Sequence, residues 1–266
     1  MPLGVFDSGI GGLTVLRAIF ERLPFENTLY LGDTARVPYG TKSAEVVTRY
    51  ALNNTRFLVA QGIKLLVVAC NTASAVALPA LEKALDVPVI GVIEPGAERA
   101  AALSGKGQVG VIGTEGTVAS GAYERALLAH RPELKVRQRA CPLFVPLAEE
   151  GWGEHPVARQ VAKEYLADWL EDVDTLLLGC THYPLLVPAI REVTGEGVTL
   201  VDSAGVVADA VAARLEAEDL ARGRASVQHA CFVTDVPDRF RAVGTRFLGR
   251  PLPPTEQVDL DPGTGA

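Results

Sequence analysis

Two of the four cysteines, Cys70 and Cys180, share a local context: an apolar run, then cysteine, then threonine. The segments read Val67-Val68-Ala69-Cys70-Asn71-Thr72 and Leu177-Leu178-Gly179-Cys180-Thr181-His182. Free cysteine is a common core residue, and either one alone would be read as structural. The repeated context points instead to chemistry. A thiol at a strand end, just ahead of a helix N-terminus, feels the positive end of the helix dipole, which lowers its pKa and favours thiolate. Asn71, Thr72 and Thr181 are the candidate caps of those helices. Two thiols facing each other across a cleft suit the inversion of a chiral carbon. One, as thiolate, removes a proton from one face; the other, as thiol, returns a proton to the opposite face. Both need acidities near the working pH, so a bell-shaped pH dependence is expected. Cys141 and Cys231 have no such counterpart and are read as structural. None of the four forms a CxxC pair, so the spacing indicates neither zinc nor a thioredoxin-like site.

Neighbouring residues could tune such thiols. Asp7 closes the first apolar run and could orient Cys70, accept its proton, or cap the next helix. His182 lies two residues after Cys180 and could play the matching part. Glu149 and Glu150 supply a further acid group or a solvated pair. Ser8-Gly9-Ile10-Gly11-Gly12 lets backbone N–H groups approach an anion. It lacks the Gly-Lys-Ser/Thr of a P-loop, and Thr14 stands at the third glycine of the dinucleotide fingerprint. A tight turn explains it alone; beside Asp7 it reads as part of a carboxylate pocket. Thr114 and Thr117 offer hydroxyl donors, and 32–40 is a long polar loop of the kind that often carries function. On these residues alone, a two-lobed binding protein and a single-thiol hydrolase remain open. Neither accounts for the second Cys-Thr turn.

The elements that must position these residues alternate along the chain. Strands are predicted at 3–6, 28–31, 64–69, 87–92, 108–112, 134–139, 175–178, 198–201 and 227–233. Helices are predicted at 13–23, 44–61, 73–85, 117–129, 157–170 and 204–218. The pattern implies an α/β fold of mostly parallel sheets flanked by helices. Gly4-Val5-Phe6-Asp7-Ser8-Gly9 and Gly110-Val111-Ile112-Gly113-Thr114-Glu115-Gly116 open two similar units. The first glycines are 106 residues apart and the two cysteines 110. Two related α/β domains are therefore expected, 1–97 with about 208–266, and 98–207, with a boundary near 95–106 and the site in the cleft between them. The segment 249–266, rich in Pro and Gly, is expected to be a strap or a disordered tail.

Bulk properties narrow the function classes. The 266 residues are 48% hydrophobic and 21% charged, the balance of a soluble globular protein, with formal charge -7 and no run of basic residues. A nucleic-acid surface is not expected. No apolar stretch reaches transmembrane length and the N-terminus has no signal-peptide pattern, so a cytoplasmic protein is expected. That compartment argues against structural disulfides.

Four motifs in order, Phe6-Asp7-Ser8-Gly9-Ile10-Gly11-Gly12-Leu13, Gly32-Asp33-Thr34-Ala35-Arg36-Val37-Pro38-Tyr39-Gly40, Cys70-Asn71-Thr72-Ala73-Ser74 and Gly179-Cys180-Thr181-His182-Tyr183-Pro184, resemble the glutamate racemases of the aspartate/glutamate racemase family. The resemblance runs to about Gly249. It implies two α/β domains, no metal or pyridoxal cofactor, and glutamate as substrate, with a homodimer as the expected assembly. It implies that Cys70 takes the proton from D-glutamate and Cys180 from L-glutamate. Asp7 would assist Cys70, and His182 with Glu149 would assist Cys180. Ser8, Tyr39, Gly40, Asn71, Thr72, Thr114, Thr117 and Thr181 would hold the amino acid. The D-glutamate would feed peptidoglycan synthesis. Some members carry an N-terminal extension linked to activation by a cell-wall precursor; with Asp7 so near Met1, no such activation is expected. Cys70→Ser and Cys180→Ser should each abolish racemisation while circular dichroism is unchanged. Near-normal turnover in either variant would take that cysteine out of the mechanism.

Overall fold

The computed structural model describes residues 1–260. The chain opens with β1 (Leu3–Asp7), α1 (Leu13–Arg22), β2 (Thr28–Gly32), α2 (Ala44–Ala60), β3 (Leu65–Val68), α3 (Asn71–Ala84) and β4 (Val89–Gly91). Helix α4 (Ile93–Leu103) then leads to β5 (Gln108–Gly113), α5 (Glu115–Ala119), α6 (Ala122–His130) and β6 (Lys135–Ala140). Next come α7 (Phe144–Glu149), α8 (Pro156–Leu166), β7 (Thr175–Gly179), α9 (Val187–Thr194), β8 (Thr199–Asp202) and α10 (Ser203–Ala217). The chain closes with β9 (His229–Val233), α11 (Pro237–Leu248) and β10 (Thr255–Gln257).

Unbroken apolar runs suit strands covered by helices on both faces. Accordingly β1, β3 and β7 are buried at every position. Two sheets form, in the orders β10-β9-β2-β1-β3-β4 and β6-β5-β7-β8, and every paired neighbour is parallel. The second sheet repeats the first at the level of topology: β2-β1-β3-β4 has the same order as β6-β5-β7-β8. Cys70 follows β3 and Cys180 follows β7, so the two cysteines occupy equivalent places. In each sheet these ends lie at the carboxyl edge, where open α/β sheets gather their functional groups.

Several expectations shift. The helix expected over 117–129 is two helices, because Gly121 adopts a left-handed φ of +63° between them. The helix expected to 170 ends at Leu166. The stretch expected as a boundary near 95–106 is largely helical, as α4; its Pro95 falls in the first turn, where a missing N–H costs nothing. The chain crosses back through α10, which packs on α1 and α4, and β9 then joins β2 in the first sheet. The tail contributes a strand after all: β10 pairs with β9 through Thr255, Glu256 and Gln257. Its three residues sit behind a proline pair, too short for a periodic signal. The part of the expected strap or disordered tail at 261–266 lies outside the described residues.

The returning segment is held by a buried ion pair. Lys64 Nζ lies 2.6 Å from Glu26 Oε2 and also donates to the Leu220 carbonyl at 2.6 Å. The Arg222 backbone N–H donates to Glu26 Oε1 at 2.7 Å, and the Arg222 guanidinium to Asn27 Oδ1 at 2.6 Å. Removing one partner of such a pair strands the other charge in a dry setting, at a cost of about 3–5 kcal/mol. Lys64→Ala should lower the unfolding free energy by about 3 kcal/mol in denaturant titration. A variant as stable as the parent would show that the pair does not hold the return segment.

Candidate active site

Two short sequences bring the sheets together. At Gly11 an added Cβ would overlap Thr181 Oγ1 and the His182 ring, so only glycine lets the turn before α1 approach the turn after β7. At Gly40 an added Cβ would fall 2.6 Å from Thr114 Cβ, so the loop 33–43 likewise lies flat against the second unit. The result is one cavity of about 60 Å³ whose wall includes Ser8, Tyr39, Gly40, Cys70, Asn71 and Thr72 from the first unit and Thr114, Glu149, Cys180, Thr181 and His182 from the second. Of the residues expected at the site, Asp7 and Thr117 do not line it. Both are fully buried behind it. Gly9, Ile10, Val37, Pro38 and Val145 complete the wall. Val145 carried no sequence signal, because an apolar residue in a short helix reads as core.

The Cys70 side is built from the loop after β1. Gly9 N–H donates to Asp7 Oδ2 at 2.9 Å, while Asp7 Oδ1 is a buried atom without a hydrogen-bond partner among the described residues. The glycine-rich loop thus spends an N–H on Asp7 itself. Burial raises the Asp7 pKa, against the lowering effect of His182 and of the Gly9, Gly12 and Ser8 amides. Helix α1 begins at Leu13 with Gly12 at its N-cap and no side-chain cap, so Asp7 is not its cap.

Cys70 departs from expectation in two ways. Its own Sγ caps α3, accepting from Ala73 N at 3.5 Å, so Asn71 and Thr72 do not serve as caps. The thiol is also not acidified. Burial, then the Asp7 charge, pushes it up to about 12, outweighing the Ala73 N–H and the Ser8 hydroxyl that pull it down. The helix terminus acts in the expected direction, but loss of solvent costs the thiolate more.

Thr72 instead bridges the units. Its Oγ1 lies 2.9 Å from Thr114 Oγ1 and 3.2 Å from Thr117 Oγ1, and Thr114 and Thr117 are 3.0 Å apart. Thr114 also caps α5 through the Thr117 N–H. Tyr39, in the loop following the cis Val37–Pro38 bond, donates to Asp33 Oδ2 and accepts from Asn54 Nδ2 at 3.0 Å. Burial and the Asp33 carboxylate push the phenol well up, so it stays protonated.

The Cys180 side is a relay. Its sulfur lies 3.8 Å from His182 Nδ1, and His182 Nε2 lies 3.2 Å from Glu149 Oε1. Burial alone would neutralise the imidazole, but its hydrogen bonds to Cys180 and Glu149 and the nearby negative charges prevail, raising His182 to about 10. The charged ring donates at both nitrogens. The His182 hydrogen bond in turn lowers the Glu149 pKa against burial, with help from the charges of His182 and Arg239. Helix α11 reaches across to support this group: Arg239 Nη2 lies 3.4 Å from Glu149 Oε2, and Arg246 Nη1 donates to the Glu149 carbonyl at 2.9 Å. No α-helix follows Cys180 directly. A 3-10 turn at Tyr183–Leu186 intervenes before α9, so the dipole argument does not carry over, and Thr181 caps no helix.

A larger groove of about 620 Å³ runs along β4, α4 and α10. Its wall has neither cysteine nor histidine, and the acid–base chemistry stays with the smaller cavity. Cys141 and Cys231 are buried away from that cavity, each pushed up to about 12 by burial.

The sequence profile of the Asp/Glu/Hydantoin racemase family matches residues 3–211. A glutamate racemase of Geobacter metallireducens is 58% identical over 261 residues, 97% of either chain. The solved glutamate racemase of Thermus thermophilus in complex with beta-chloro-D-alanine superposes with a TM-score of 0.90 at 49% identity, covering 98% of this chain and 97% of its own. The Francisella tularensis glutamate racemase in complex with D-glutamate gives 0.92 at 38% identity, with 98% of each chain covered.

Glu149→Gln removes the carboxylate that favours the charged ring, so the His182 titration, followed by NMR of its ring protons, should move to lower pH. An unmoved titration would leave Cys180 and Asp7 as the groups that hold His182 charged.

Proposed function

The chain belongs to the Asp/Glu/Hydantoin racemase family, and from that premise we propose that it interconverts L- and D-glutamate by passing protons between Cys70 and Cys180. The observation that carries this reading is the pair of cysteines, at equivalent strand ends of two parallel sheets, lining one cavity. Groups from separate sheets can address opposite faces of one carbon, as inversion requires.

The two halves work by different means. Cys180 is the base toward L-glutamate. Its thiolate is balanced by the His182 imidazolium, which Glu149 orients. Cys70 is the base toward D-glutamate, and at rest its buried thiol holds its proton. The Asp7 carboxylate, its own proton affinity raised by burial, receives that proton. The ammonium group of the arriving amino acid brings a positive charge that further favours thiolate. After proton removal on one side, the opposite thiol delivers its proton, Cys180 taking the proton it delivers from the His182 imidazolium 3.8 Å away, and the two cysteines exchange protonation states with each turnover. Proton removal by one thiol and delivery by the other are therefore coupled steps.

Ser8, Tyr39, Gly40, Asn71, Thr72, Thr114 and Thr181 hold the amino acid, while Thr117 acts from behind by fixing Thr72 and Thr114. Glutamate as substrate is supported by the identity of the relatives across nearly the whole chain. The reaction uses no metal or pyridoxal cofactor, and its product supplies peptidoglycan synthesis. The protein acts in the cytoplasm as a homodimer, apart from membrane and nucleic acid. Among the described residues, no helix is long and apolar enough to cross a membrane. The division into 1–97 with about 208–266 as one domain, of which 261–266 lie outside the described residues, and 98–207 as the other is supported by the shared strand order of the two sheets.

Purified protein incubated with L-glutamate in deuterated water, without added cofactor, should lose optical rotation while deuterium enters the α-position of the inverted product. Intact rotation without exchange would overturn the glutamate reading.

A further inference from the structure

Tyr123 lies on α6, is fully buried, and is not part of the cavity wall. It nevertheless touches both cysteine turns. Its hydroxyl donates to Asn71 Oδ1 at 2.6 Å, next to Cys70. Its ring packs against the glycine that precedes Cys180, where a Cβ on Gly179 would fall 2.9 Å from Tyr123 Cε2. A phenol has one O–H. With that hydrogen spent on Asn71, the Ser203 hydroxyl at 3.3 Å is the donor to the phenol oxygen. The chain of bonds therefore runs one way, Ser203 to Tyr123 to Asn71.

The end of that chain is the informative part. A side-chain amide presents an acceptor at one side and two donors at the other, and which one faces the cavity is set by its partners. Here Oδ1 is held by Tyr123. Asn71 lines the cavity, is 3% exposed, and its Nδ2 has no hydrogen-bond partner among the described residues. A buried unmatched donor is costly unless something binds it. A carboxylate, which only accepts, satisfies it; the opposite amide orientation would set two acceptors against each other.

We propose that Tyr123 is a positioning residue for substrate binding: it fixes the Asn71 amide so that Nδ2 donates to a carboxylate of the bound amino acid. This rests on the reading of the cavity as a glutamate site. Tyr123 touches no reacting atom and acts through Asn71 alone. Its loss therefore weakens binding more than it slows proton transfer.

The test is steady-state racemisation of both enantiomers by the wild type, Tyr123→Phe, Asn71→Ala, the double variant and Asn71→Asp, with melting temperatures alongside. Tyr123→Phe, which removes only the hydroxyl, should raise KM by about tenfold with kcat changed less than about threefold. The double variant should be no worse in KM than Asn71→Ala, because the two residues act in series. Asn71→Asp keeps the shape and the acceptor toward Tyr123 but turns the donor into a charged acceptor. It should raise KM at least as far as Asn71→Ala, and it reads the donor role even if Tyr123→Phe folds poorly. An unchanged KM in Tyr123→Phe, a double variant whose KM rises by the product of the two single effects, or an Asn71→Asp protein with the wild-type KM would each overturn the proposal alone. A wild type that does not turn over glutamate would remove the glutamate reading, and this proposal with it.

Discussion

Three hydroxyls, on Thr72, Thr114 and Thr117, meet within 2.9 to 3.2 Å where the two sheets face each other. Thr72 belongs to α3, the helix that Cys70 caps. Thr114 caps and Thr117 lies within α5, the helix after β5, the strand paired with the one that ends beside Cys180. Each hydroxyl can donate once and accept, so the triangle is satisfied only when both units sit at one separation. The Tyr123–Asn71 bond crosses the same seam, and Gly11 and Gly40, lacking a Cβ, let the backbone approach the opposite unit closely. Any chemistry shared by Cys70 and Cys180 depends on this seam, because neither sheet by itself sets the width of the gap.

Around that seam the two thiols sit in unequal electrostatic settings. Cys70 is buried beside a carboxylate, and both effects disfavour its thiolate. Cys180 has a charged imidazole within 3.8 Å, backed by Glu149 and through it by two arginines of α11. The topology is pseudo-symmetric, yet the acid–base partners are not. The helix dipole, which the repeated strand-cysteine pattern brings to mind first, is the smaller influence at Cys70 and is displaced by a 3-10 turn at Cys180.

Much of the fold was legible because parallel sheets announce themselves. A strand covered on both faces must be apolar throughout, and β1, β3, β5 and β7 are short unbroken runs bounded by glycine or polar residues. The repeated spacing of Gly4 and Cys70 against Gly110 and Cys180 anticipated the shared strand order. What escaped was decided by single backbone torsions or by partners far along the chain. Gly121 divides a helix whose apolar pattern runs straight through it. β10 exists only because β9 offers an edge. Val145 and Tyr123 read as ordinary core residues, and only their neighbours across the seam distinguish them.

The sequence by itself determined the chemistry on offer: two equivalent cysteines, an aspartate at one strand end, a histidine beside the second thiol, and glycines where two segments of the chain must touch. These are local facts, set by residue type and short spacing. Tertiary structure decided which of those groups meet and in what charge state. It set Glu149 against His182, drew Asp7 and Thr117 behind the cavity wall, turned the Cys70 sulfur into its own helix cap, and raised that thiol's pKa where local reasoning lowered it. The reason is that a proton's affinity for a buried group depends on every charge and dipole around it and on the solvent it has lost, and those are fixed only when distant segments pack.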